Sequence, residues 1–246
     1  MIPKIIHYCW FGRNPLPESA LKCMASWKKF FPDYEIKQWN EDNFDVNIIP
    51  YTREAYDAKK YAFVSDYARF YILYHHGGLY FDTDVEVVKS MDDIVGKGNF
   101  LGIELDARPE EGLPPSINPG LGFGTVAKEN LFRDVLQYYA NLHFIMEDGS
   151  LNQVTIVTHT TNLLLERGLK PSNEIQLVDG MWIYPRDYFN PLDSITGKLA
   201  KTERTRSIHW YMNSWNQESP LRTYIVRWVH RLLGKNSLNW LKRFMS

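Results

Sequence analysis

The order of hydrophobic patterns at the start of this chain constrains its fold most. "KIIHYCWF", residues 4–11, is a nearly unbroken apolar run that ends in "GRNPLP", as a buried strand closed by a turn would. "ESALKCMASWKKFF" follows with helical spacing and stops before Pro32, where a helix has to end. "YEIKQW" then alternates as a second strand does. Strand, helix and strand in this order predict the βαβ start of an open α/β sheet.

The 246 residues, 44% of them hydrophobic, suffice for one sizeable domain. We expect that domain over residues 1–218 and a separate helical tail over 219–246. A formal net charge of −1 offers no field to draw nucleic acid, which is not an expected partner. Cys9 and Cys23 have a spacing that suits neither a zinc knuckle nor a redox pair, so packed thiols in a reducing, cytoplasmic setting are expected. No secretory signal and no apolar run of membrane-spanning length is read. The aromatic share of 15% suits stacking on planar or sugar ligands as well as filling a core.

Residues 52–76 are predicted to be helical, with Phe63, Tyr67, Phe70, Tyr71 and Tyr74 as the core-facing stripe. His75 and His76 fall at its C-terminus, where the helix dipole welcomes them, and Gly77 and Gly78 end it. "GGLYFDTDVEVV", residues 77–88, then reads as a strand that carries Asp82 and Asp84 on one face. Three explanations compete for this acid pair. It is a charged solvent-facing stripe continued by Glu86; or Asp82 is the nucleophile of a haloacid-dehalogenase-like phosphatase; or two hard carboxylates hold Mg²⁺ or Mn²⁺. "NFLGIEL" is a further strand, and the proline-rich "DARPEEGLPPSINPG" is a long loop of the kind that is usually functional or disordered. Helical patterns return at 128–141 and 151–167, and "EIQLV", "MWIYP" and "RSIHWY" read as short strands.

"YAFVSDYARFYILYHHGGLYFDTDVEVV", residues 61–88, resembles the core motif of glycosyltransferase family 32, the sugar-binding region containing DXD. It is also similar to the catalytic domain of the large glucosylating bacterial toxins. "IPKIIHYCWFG" and "SIHWYMNSW" extend the likeness to both ends, so that it covers residues 1 to about 90 well, 120–215 loosely and the tail not at all. The resemblance implies a GT-A-like fold, a Rossmann-like open mixed sheet flanked by helices. It also implies metal-dependent, retaining transfer of a hexose from a nucleotide sugar, UDP-linked, to a capsular or other surface glycan or a lipid-linked saccharide.

Asp66 and Arg69, at i and i+3 of a helix, can meet on one face, and a carboxylate beside a guanidinium fork suits hydroxyl readout. By the resemblance they hold the donor sugar, Trp10 stacks on the uracil, and Tyr80 neighbours the site. Asp84 is implied to hold Mn²⁺ or Mg²⁺, with Asp82 on the metal or the ribose. Either His209 or Ser214 completes the metal site, and Ser214 and Trp215 close over the diphosphate. Asn118 either faces the sugar or caps a turn. Asp66, Arg69 and Asp84 are the expected catalytic set. A phosphatase with Asp82 as nucleophile and a non-catalytic carbohydrate-binding scaffold stay open beside this reading. The tail, "LRTYIVRWVHRLLGKNSLNWLKRFMS", has no acid and mixes Arg and Lys with Trp, Leu and Phe. It is expected either to lie on an anionic membrane surface, which would make the enzyme peripheral on the inner face of the cell membrane, or to pack on the domain.

Overall fold

A computed structural model describes residues 1–212; Ser214, Trp215 and the 219–246 tail lie outside the described residues. β1 (Ile5–Cys9), α1 (Glu18–Phe30) and β2 (Glu35–Trp39) form the expected βαβ unit, with β1 and β2 parallel. Two helices, α2 (Pro50–Asp57) and α3 (Tyr61–His76), replace the single one expected over 52–76. Lys59 between them has a φ of 58°, which a continuous right-handed helix does not accommodate. The chain continues through β3 (Gly78–Tyr80), β4 (Val85–Val87), α4 (Asp92–Val95) and β5 (Phe100–Leu105). After these come β6 (Ser116–Ile117), β7 (Phe123–Thr125), α5 (Asn130–Ala140) and α6 (Ile156–Glu166). β8 (Gln176–Val178), β9 (Met181–Tyr184), α7 (Arg186–Phe189) and β10 (Ser207–His209) complete the described elements.

The result is a mixed α/β sheet flanked by helices. Its strands run in the order β2-β1-β3-β7-β5-β9-β8, with β6 added on β5. β2, β1 and β3 are parallel, β7 is antiparallel to both β3 and β5, and β9 is parallel to β5. β3 lies against β1 because residue 78 is glycine. Its φ is +104°, and a Cβ there would stand 2.7 Å from the Ile5 carbonyl oxygen, closer than van der Waals contact allows.

The acidic stretch is not one strand. β3 ends at Tyr80, and the chain turns over Asp82–Val85, closed by Val85 N–H donating to Asp82 O at 3.0 Å. β4 then leaves the main sheet and pairs antiparallel with β10. The sequence pattern looks continuous because Leu79, Phe81, Val85 and Val87 all enter the same core, beneath α1, although two different sheets supply them. Trp27 of α1, fully buried, donates from Nε1 to Val85 O (2.7 Å), and Ser26 Oγ accepts from Val87 N–H (2.9 Å). A tryptophan in such a place is worth about 3–5 kcal/mol against alanine. α1 thus fixes where the acid turn sits.

Tyr80 points to the opposite face from Leu79 and Phe81, into the second core, with Phe70, Phe123 and Phe132, as strand alternation requires. The proline-rich stretch is more regular than its composition suggests. It holds a 3-10 turn at Pro109–Glu111, and β6 returns it to β5. Among the described residues no helix is long and apolar enough to cross a membrane.

Candidate active site

α3 turns Asp66 and Arg69 inward together. Arg69 Nη2 lies 3.1 Å from Asp66 Oδ1 and 3.3 Å from Asp82 Oδ1, Nη1 donates to Asp82 Oδ2 (3.3 Å), and Nε donates to Ser65 O (3.1 Å). The guanidinium also sits 5.0 Å over the Tyr80 ring. Every nitrogen of the fork is therefore engaged, on the one polypeptide corner where α3 meets the acid turn. Burial pushes the Asp66 carboxyl up to about 6, against the opposing pull of Arg69 and with a further push from Asp82. Burial also raises Asp82, again opposed by Arg69.

The other side of the turn presents a different pair. His209, opposite Val85 in the β4–β10 ladder, brings Nε2 to 3.1 Å from Asp84 Oδ1 and 3.9 Å from Asp82 Oδ2. Burial on its own would raise the Asp84 carboxyl, but the adjacent His209 and the amide N–H of Met212 (2.9 Å to Oδ2) hold it below the usual range. Burial would lower the His209 imidazole, and Asp84 and then Asp82 pull it up instead. The three residues each offer a donor atom, all within 4.8 Å of one another. His209 Nε2 thus forms a buried ion-pair contact with Asp84 Oδ1, while His209 Nδ1 is buried without a hydrogen-bond partner among the described residues. Two carboxylates and an imidazole held this close make a cluster able to coordinate a divalent cation.

A cleft of about 750 Å³ opens beside this cluster, lined among others by Trp10, Asn14, Tyr61, Arg69, Asp82 and Met212. Trp10, half-buried, follows β1, and its Nε1 donates to Asn14 O (2.6 Å). Gly12, at φ +92°, faces the Tyr61 ring so closely that a Cβ would fall 2.3 Å from it. Asp66 does not line the cleft but lies behind Arg69. Tyr80, 1% exposed, lies beneath Arg69 and does not line the cleft. Asn118 caps the 3-10 turn Pro119–Leu121, its Oδ1 accepting from Gly120 N–H (2.6 Å).

Other residues that pack on the site carry only a weak sequence signal. Gly120 presses on the acid turn, where a Cβ would be 2.3 Å from Asp82 Oδ2 and 3.2 Å from Arg69 Nη1. Tyr211, at φ 51°, stands edge-on to His209 with ring centroids 4.2 Å apart and donates to Glu104 Oε1 (2.9 Å). The only advance hint of these was "NPG" in the proline-rich stretch and the tyrosine inside "HWYM".

Comparison with known proteins agrees with this geometry. Residues 17–101 match a family model described as the glycosyltransferase sugar-binding region containing a DXD motif. An uncharacterized glycosyltransferase of Acanthamoeba polyphaga mimivirus is 29% identical over 207 residues, covering 77% of this chain and 76% of that protein. Inositol phosphoceramide mannosyltransferase 3 of Schizosaccharomyces pombe is 34% identical over 98 residues, 38% of this chain and 27% of that protein; the match thus spans about a quarter of that relative. Among solved structures, the PaToxG glycosyltransferase superposes with a TM-score of 0.51 at 19% identity, over 67% of this chain and 69% of that one. That likeness concerns the fold, which is of the GT-A type. With the motif match and the relatives beside it, the protein is a glycosyltransferase.

Proposed function

We propose that the enzyme transfers a hexose from a UDP-linked sugar, with Mn²⁺ or Mg²⁺, to a hydroxyl of a surface glycan or lipid-linked saccharide, with retention at the anomeric carbon. One observation carries the reading. The 750 Å³ cleft ends on Asp82 and Arg69, and the Asp82 carboxylate belongs at once to the arginine clamp and to the metal-capable cluster. A ligand that is a base at one end and a sugar diphosphate at the other matches a cleft with an indole on one wall and these charges at its end. The S. pombe relative's name, a mannosyltransferase acting on inositol phosphoceramide, supports a hexose donor and an acceptor carried on lipid.

In this reading Asp82, Asp84 and His209 hold the cation, which when bound supplies positive charge against the departing diphosphate. Trp10 offers its face to the uracil. Arg69 presents its fork to donor hydroxyls, and Asp66, behind it, keeps that fork oriented. Asp82 is the one carboxylate among the described residues lining the cleft, and Arg69 engages both its oxygens. In this reading Asp82 serves the clamp and the cation and does not attack C1. Same-face attack fits better: the bond from C1 to the phosphate oxygen breaks as the acceptor oxygen bonds to C1, and the acceptor proton leaves on that phosphate oxygen. The polar cleft stabilises the oxocarbenium-like state between.

The test is a panel of uridine- and guanosine-linked hexoses incubated with the full chain and Mn²⁺, following release of nucleoside diphosphate. We expect release that EDTA and Asp84→Asn both abolish, with the Asp84→Asn protein still folded. Full turnover in excess EDTA removes the metal assignment, and hydrolysis of generic phosphomonoesters instead favours the phosphatase.

A further inference from the structure

His209 faces Asp84 and Asp82 through Nε2, at 3.1 and 3.9 Å. A histidine that binds a metal through one ring nitrogen ordinarily donates from the other to a carboxylate or carbonyl, and that bond sets the angle of the ring. His209 Nδ1, buried, has no such partner among the described residues. The imidazole therefore needs another restraint on its rotation, and the Tyr211 ring supplies one. The two rings stand edge to face, at 82° with centroids 4.2 Å apart. Residues two apart on an extended strand carry their side chains about 7 Å apart. The left-handed φ of 51° at Tyr211 bends the chain after β10 and brings its ring back onto His209.

We infer that Tyr211 and Glu104 are positioning residues for the cation site: the Glu104 carboxylate holds the Tyr211 ring against the imidazole and so fixes the angle at which His209 meets Asp82 and Asp84. This rests on the metal-dependent reading above. Tyr211 OH donates to Glu104 Oε1 at 2.9 Å. Glu104 belongs to β5 of the main sheet, whereas His209 belongs to the separate β4–β10 pair. The hydrogen bond thus ties the metal-capable histidine to a part of the fold that the acid turn does not supply. Asn190, 1% exposed, secures the far end, its Nδ2 donating to Glu104 O (3.1 Å). The residues on either side of Tyr211 are tied to the acid turn and β4 instead. Trp210 N–H donates to Asp84 O (3.0 Å) and its Nε1 to Glu86 Oε2 (3.0 Å), while Met212 N–H donates to Asp84 Oδ2 (2.9 Å). Tyr211 is pulled one way and its neighbours the other. A bulky residue keeps a left-handed conformation only when its surroundings enforce it in this manner.

The experiment titrates Mn²⁺ into the full chain, with and without UDP, and reads its affinity by electron paramagnetic resonance. Four variants separate the contributions. Tyr211→Phe keeps the ring and loses the hydroxyl, and Tyr211→Gly suits the left-handed backbone but loses the ring. Glu104→Met removes the acceptor, and Glu104→Gln keeps an acceptor oxygen without the charge. We expect the first three to lower Mn²⁺ affinity about tenfold or more and Glu104→Gln to stay within about threefold of wild type. Thermal midpoints measured in EDTA should stay within a few degrees of wild type. Wild-type Mn²⁺ affinity in Tyr211→Gly or Glu104→Met would leave the ring or its anchor without a role. Equal losses in Glu104→Gln and Glu104→Met would point to the charge of Glu104 in place of its hydrogen bond. Losses that follow the thermal midpoints would make both residues merely structural. Each of these results overturns the inference and leaves the metal reading intact. If the wild-type chain binds no Mn²⁺, with UDP or without it, the metal reading itself fails, and this inference with it.

Discussion

Arg69→Met is the most informative single change in this molecule. The Arg69 side chain is only 6% exposed, and the carboxylates it separates, Asp66 and Asp82, are 12% and 14% exposed. Deleting one partner of a buried pair costs about 3–5 kcal/mol, because the remaining charge is left uncompensated. Here two charges lose the same partner, so the upper part of that range is expected near neutral pH. The loss should depend on pH in a definite direction. Asp66 already stands at about 6 with Arg69 opposing its protonation, and without Arg69 it rises further. A carboxyl raised in the native state binds its proton there more readily than in the unfolded chain. The native variant is therefore favoured by about 1.36 kcal/mol per pH unit as acidity increases through that range. Urea unfolding of wild type and variant at about pH 7.5 and about pH 5.5 measures both effects. A deficit under about 1 kcal/mol at the higher pH is what an exposed pair would give, and would refute the buried clamp. A deficit that fails to shrink at the lower pH would refute the Asp66 argument alone. Arg69→Lys keeps the charge but not the fork, so it should recover part of the stability without recovering turnover.

Three further outcomes are expected. Trp10→Ala should weaken UDP by about 1–3 kcal/mol, taking base stacking in nucleic-acid complexes as the analogy; an unchanged dissociation constant with a large loss of stability would make Trp10 a core residue. His7 accepts from Trp39 Nε1 at Nδ1 (3.0 Å), which leaves Nε2–H to donate to Gly77 O (3.0 Å), and burial lowers its pKa from 6.5 to about 4. The stability this neutral ring contributes is complete above pH 6.5 and is lost as pH falls toward 4, about 3 kcal/mol in all; a ring-nitrogen NMR titration with a midpoint near 6.5 would contradict it. The basic tail should carry the protein onto anionic liposomes; flotation of the full chain and of one ending at Pro220 tests this, and equal binding by both would exclude the tail as the anchor.

The parts of the site that could be read in the sequence are those whose geometry is local. Asp66 and Arg69 meet because i and i+3 of any helix meet, and the two glycines after His76 fold that helix back whatever surrounds it. Asp82 and Asp84 were legible as a pair but not as a turn. Period-2 alternation continues through residues 79–87, and nothing in it shows that β3 and β4 belong to different sheets. The break between α2 and α3 is hidden for a similar reason, since Ala58, Lys59 and Lys60 fit a helix by composition while Lys59 adopts a left-handed φ. β7 was missed because "FGT" has no room for a pattern, yet it is the strand that reverses direction between β3 and β5. Glu104 and Tyr211 are 107 residues apart. Their contact depends on that strand order, and no local propensity encodes it.

The arginine clamp also bears on which cation the cluster would hold. Asp66, Asp82 and Asp84 are three carboxylates in one buried corner, and among the described residues Arg69 is the one permanently charged base paired there, with Asp66 and Asp82. With His209 neutral, as a ligand has to be, two negative charges are left. Leaving such charges buried without a counter-ion is expensive, and the Asp82–Asp84–His209 cluster is able to hold a divalent one. Gly120 sits against the same corner, where a Cβ would stand 2.3 Å from Asp82 Oδ2 and 3.2 Å from Arg69 Nη1, so a larger residue there would push against the clamp.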